Sequence, residues 1–138
     1  MFPLEDMALN IAVSASGKYA AVNNNGDGKQ TNTLIDAAKN KMLENYEVDS
    51  ALIGMKFSSD SKYLYVSAGY EDKIFIYSIS NNKLVKKDSL VLGKPWPENK
   101  IGIAGVEIDN LRGMLYAVQT EDNYLYLCDL KNKTKVRK

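Results

Sequence analysis

Apolar positions along the chain come in short runs of four to six, separated by polar turns, and hardly ever recur at helical spacing. The runs Tyr63-Leu64-Tyr65-Val66 and Ile74-Phe75-Ile76-Tyr77 are rich in β-branched and aromatic side chains, as strands are. Neither alternates between apolar and polar, which predicts sheets covered on both faces. Around them the spacing predicts four strands, at 54–57, 63–67, 73–79 and 84–92. The last is the most polar, with Lys86, Lys87 and Asp88, as suits an outer, solvated edge. One window points elsewhere. Ile35, Ala38, Met42 and Tyr46 are spaced for a helix, with Asp36 placed to cap it and Glu44 adding propensity.

The pattern repeats. VSASGKYAAV (13–22), FSSDSKYLYV (57–66) and IDNLRGMLYA (108–117) align without a gap. A second feature follows each, at 33–41, 75–83 and 125–133: a strand-like run, a polar residue, then an Asn-Lys turn. Four strands at a period near 45 residues describe the blades of a β-propeller. The expected fold is therefore all-β, an incomplete ring of about three four-stranded antiparallel blades. They fall at about 8–50, 51–100 and 101–138 of one propeller segment, the last strand cut short. The repeat overrules the helical window, because 78–90 and 129–136 carry no such spacing. A β-sandwich gives no reason for a threefold repeat.

The chain has 138 residues, 25% of them charged, with formal net charge +1. A near-neutral balance offers no electrostatic case for nucleic acid. With no histidine, this sequence contains no His-based triad and no His-ligated zinc site. Cys128 stands alone, so CxxC chemistry is excluded, and its strand-like setting marks it as a small apolar residue. No apolar run reaches the roughly 18 residues of a membrane-spanning helix, and no basic start followed by an apolar stretch stands near Met1. No cofactor is expected.

Candidate chemistry lies in the loops expected on one face of the ring, at 23–30, 68–72 and 120–123, with the interblade loops near Asp49 and at 93–102. Asn23, Asn25 and Asp27 match the first half of a calcium loop. Leu34 stands where the bidentate glutamate belongs, so a glycine- and asparagine-rich turn is the better reading. Glu71-Asp72 and Glu121-Asp122 read as equivalent pairs in the second and third repeats. Four such carboxylates could bind a cation or raise one another's pKa, although solvated acidic turns are the better reading, since no nucleophile or basic partner stands beside them. Trp96, stiffened by Pro95 and Pro97, is either an anchor for a ligand or protein or a plug in the seam between blades. The strand tyrosines read as core. The basic end, from Lys131 to Lys138, reads as an outer strand.

The strings IAVSASGKYAAV and NYLYLCDLKNKTKV resemble the YVTN-type repeat of YncE-like β-propellers. The linker VLGKPWPENKIGIAGVEID is similar to the propellers of secreted bacterial proteins that also carry an alkaline-phosphatase-like phosphoesterase domain. This resemblance implies a periplasmic or extracellular scaffold or binding module within a larger protein. The alternative it leaves is the propeller portion of a phosphoesterase or lactonase-like hydrolase, with catalytic residues outside this chain. Three blades cannot close a ring, so the expected partners are further blades or another copy of the chain. The loop face is left for an unidentified small molecule or protein.

Overall fold

The computed structural model describes residues 3–4, 6–94, 97–98, 102–120 and 123–137. These residues form twelve strands in three antiparallel sheets of four, each in simple up-and-down order. The first blade is β1 (Ala8–Val13), β2 (Tyr19–Asn24), β3 (Thr31–Asp36) and β4 (Lys41–Glu47). The second is β5 (Met55–Phe57), β6 (Tyr63–Ser67), β7 (Lys73–Ser80) and β8 (Lys83–Val91). The third is β9 (Ile103–Asp109), β10 (Met114–Gln119), β11 (Leu125–Asp129) and β12 (Thr134–Arg137).

The blades stand side by side, and alternate residues of each strand face opposite neighbours. Toward the first blade the second presents Met55, Phe57, Leu64, Val66, Phe75 and Tyr77, which meet Tyr19, Ala21 and Leu34. Toward the third it presents Tyr65, Ile74, Ile76, Leu90 and Leu92, against Ile108, Leu115, Ala117, Tyr126 and Cys128. This double burial is why the middle strands are apolar at nearly every position. At the ends of the stack it is only partial, although Ala20, Val22 and Ile35 on the outer face of the first blade remain buried. On the free face of the first blade Ile11 and Val13 are 61% and 62% exposed, and on that of the third Val118 and Leu125 are 45% and 46% exposed.

The helical window is not a helix. Residues 31–36 and 41–47 pair as β3 and β4. The capping signal is real but serves the hairpin, where Asp36 Oδ1 accepts the Lys39 amide at 2.9 Å and Asn40 closes the turn at φ +48°. The third repeat makes the same turn with Asp129, which accepts the Lys131 and Asn132 amides at 2.8 and 3.0 Å. In the second blade Asn81 and Asn82 form a two-residue turn, both at positive φ. The strand registers place Asp36, Ser78 and Asp129 as equivalents, all opposite the first residue of the second strand. The gap-free match of 125–133 to 75–83 is therefore one residue out of step.

Candidate functional site

Blade orientation brings the β2–β3, β6–β7 and β10–β11 loops to one end of the stack, together with the linker at 48–54 and residues 92–94 and 102. The β6–β7 loop is a tight turn in which Glu71 N donates to Ala68 O at 3.0 Å and Asp72 N to Gly69 O at 3.2 Å. Gly69 and Asp72 both take positive φ. A Cβ on Gly69 would meet Ser50 Oγ at 2.7 Å and Leu52 Cδ1 at 2.8 Å, so the first linker lies directly on this turn.

Asp72 is fully buried and turned into the seam between the second and third blades. Its carboxylate accepts from Gln119 Nε2 at 3.4 Å, and Gln119 Oε1 accepts from the Tyr126 hydroxyl at 2.7 Å. Its carbonyl accepts the Leu92 amide at 2.9 Å. Asp72 thus ties loop, linker and two blades together. Glu71 behaves differently: it is half-buried and ion-paired to Lys73 at 3.3 Å. The loops 68–73 and 119–124 close alike, Ala68 N donating to Lys73 O and Gln119 N to Tyr124 O. That register matches Asp72 with Asn123, which also has positive φ. Counted from that register, Glu71 corresponds to sequence position 122, one step from the pairing the sequence suggested. Trp96, Glu121 and Asp122 lie outside the described residues.

Asn23 is not a loop residue. It sits in β2, fully buried, and donates through Nδ2 to the Leu52 carbonyl. Asn25 and Asp27 lie beyond the strand, half-buried and exposed respectively. Its cross-strand partner Asn32 is also buried. Beside them the first seam holds Tyr46 and Tyr77 edge to face, with ring centroids 5.2 Å apart, and burial drives the Tyr77 hydroxyl pKa upward. The buried Asn23–Asn32 pair and the Asp72–Gln119–Tyr126 chain were missed from sequence. Their only signal is a polar residue in a run that the repeat marks as apolar.

At the opposite end of the stack, acids serve turns. Hydrogen bonds from Ser58 and the Lys62 amide lower the Asp60 pKa, and the Arg112 guanidinium lowers that of Asp109. Among the described residues, no group of three or more His, Cys, Asp or Glu side chains could hold a metal. Nor is any helix there long and apolar enough to cross a membrane.

Three four-stranded sheets, ordered inside to outside and packed face to face along their inner strands, are propeller blades. The fold is that of a β-propeller. No protein-family model and no curated protein matches the chain. Solved structures do. The structure of U3-55K aligns over 99% of this chain at 14% identity and a TM-score of 0.77. The WD40 repeats of RRP9 align over 99% at 12% identity, also at 0.77. Hydrazine synthase of Kuenenia stuttgartiensis aligns over 99% at 16% identity and 0.67. The propeller segment spans about two-fifths of each of those chains, 38% or 39% of their length. These likenesses support a propeller with WD40-like blades, and they lend nothing to a YncE-like parent with a phosphoesterase domain.

Proposed function

We propose that the chain is a non-catalytic scaffold or binding module whose contact surface is the loop-bearing end of the blades. The observation that carries this reading is the use made of the acids there. Asp72, the best-placed carboxylate, is consumed in holding two blades and a linker together, and Glu71 is neutralised by Lys73. Neither stands free beside a nucleophile, as an acid–base site requires. The likeness to WD40-type propellers supports the same reading. The YVTN-like strings support a narrower one, in which the segment belongs to a larger exported bacterial protein, periplasmic or extracellular. Within it any hydrolase chemistry would be carried by other sequence.

The test is turnover. Purified chain, with and without magnesium, calcium or zinc, is assayed against a phosphomonoester, a phosphodiester and a lactone. Background rates are expected throughout. Asp72→Ala should loosen the fold by about 1–3 kcal/mol through its orphaned partners, while Asp72→Asn, which tolerates positive φ and still accepts from Gln119, should be much milder. Turnover that Glu71→Ala or Asp72→Asn abolishes would overturn the scaffold reading.

A further inference from the structure

The second seam shows how this fold holds an ammonium group. Lys135 of β12 lays its Nζ over the Tyr126 ring, 5.1 Å from the centroid, and donates to the Leu92 carbonyl at 2.7 Å. A lysine head group is thus fixed between an aromatic ring and the backbone of a linker. The strand registers carry the same arrangement onto the first seam, where Lys86 stands for Lys135 and Phe75 for Tyr126. Val48 stands for Leu92, since each gives its amide to the carbonyl just before the third strand of its blade, of Gln30 or of Asp72.

The lining differs between the two. Where the second seam has Leu90 and Cys128, the first has Tyr46 and Tyr77 at the same register positions. Tyr46 and Phe75 each stand nearly perpendicular to Tyr77, at 70° and 79°, with centroids 5.2 and 6.3 Å from it. With Val48, Asp49 and Lys86 these rings line a cavity of about 60 Å³. That is room for a head group of a few heavy atoms, and far short of a drug-sized ligand. Both sides of the cavity belong to this chain, and Val48 and Asp49 begin the linker at the loop-bearing end.

The charges favour a cation there. Glu47, also on the lining, is paired with Lys29 at 2.8 Å, whereas Asp49 makes no ion pair among the described residues. Lys86 already rests its ammonium on Phe75, 3.5 Å from the ring centroid. Its side chain is exposed, and among the described residues no carboxylate pairs with it. The ring alone holds it, so it can be displaced, unlike Lys135. A methylated ammonium is less strongly hydrated than that of lysine, gives up less water to enter, and gains more from three rings than from one.

We propose that the first seam binds a small methylated ammonium head group, which takes the place of the Lys86 ammonium on Phe75 and sits among Tyr46, Phe75 and Tyr77 with Asp49 as counter-charge. This names a ligand class for the binding-module reading and rests on it, while the turnover assays above test that reading separately.

Calorimetric titration of the purified chain with choline tests it. Choline should bind saturably, and ethanolamine and neohexyl alcohol, its unmethylated and uncharged counterparts, about tenfold more weakly or worse. Tyr46→Leu, which installs the residue of the second seam, should weaken choline by about tenfold with unchanged circular dichroism, and Tyr46→Phe should leave it nearly unchanged. Lys86→Met removes the resident competitor and should tighten binding by about threefold, a gain that a merely structural lysine would not give. N-acetyl-trimethyllysine amide, run alongside, separates a free head group from one on a side chain; saturable binding of either supports the site, and the tighter of the two names its source. The proposal is overturned if neither binds saturably or if neohexyl alcohol binds as well as choline. It is equally overturned if Tyr46→Leu leaves the affinity unchanged, or if Lys86→Met weakens it.

Discussion

Cys128 shows what a single buried side chain does to its own chemistry. It lies in β11 with no exposed surface, and burial pushes its thiol pKa up to about 11. At pH 8 the thiolate fraction is then on the order of 100-fold below that of an ordinary exposed cysteine. Ellman's reagent should leave the folded chain unmodified at that pH and label it only as denaturant unfolds it. The stabilisation from keeping the thiol neutral is complete below the unfolded value near 9 and is lost as pH rises through about 11. Chemical denaturation between pH 8 and 11 should therefore show stability falling, and less steeply in Cys128→Ala. The sequence announced this residue correctly as core, because its neighbours Tyr126 and Leu127 set the strand. It could not announce Asp72 or Asn23 in the same way. A polar residue at a loop edge looks solvated until the seam that takes it in is known.

Among elements, the hairpins closing the third and fourth strands carry most of the local information. Asp36 and Asp129 organise four-residue turns, whereas the middle blade uses Asn81-Asn82 with both residues left-handed. A β-branched side chain is strained there by about 1–2 kcal/mol. Asn81→Val should lower the urea midpoint accordingly, and Asn81→Gly should hardly move it. These turns also explain where reading the sequence failed. The Asn-Lys dipeptide recurs in all three repeats, yet its lysine opens the fourth strand in the first two and still belongs to the turn in the third, so matching on it shifts the third by one residue. The strand runs themselves were plain, since residues 63–67 are apolar on both faces and only a doubly covered sheet demands that. The helical window arose because a side chain that caps a helix can equally cap a hairpin turn, and the repeat overruled it. Ser61 makes a related substitution legible. It takes φ +59° where the first repeat has Gly17 at +69°, and its Oγ accepts the Ser16 amide at 3.1 Å across the seam.

At the scale of the molecule, the tightest place is the inner rim, where backbone meets backbone. Adding a methyl at Gly54 would force apart β5 and β9, because Ala104 O and Val106 Cγ2 lie 2.1 and 2.6 Å from its position. Gly54→Ala should cost about 1–3 kcal/mol, at the upper end because one obstacle is main chain. Thermal melts of Gly54→Ala beside Gly28→Ala, whose surroundings are open, separate the two cases. The blade count and the apolar end faces were readable from the repeat, but the direction of the junctions was not, for it depends on which alternate residues share a face. The bulge shared by the outer strands has a further consequence. Each blade interrupts the pairing of its last two strands at the same register, between Leu34 and Ile35, Ile76 and Tyr77, and Leu127 and Cys128. A bulge bends and overtwists the strand that carries it, so the outer rim offers no long flat edge to an incoming strand. Lys86, Lys87 and Lys135 along that rim add charge repulsion. The chain therefore keeps its most vulnerable hydrogen-bonding edge unsuited to amyloid-like growth.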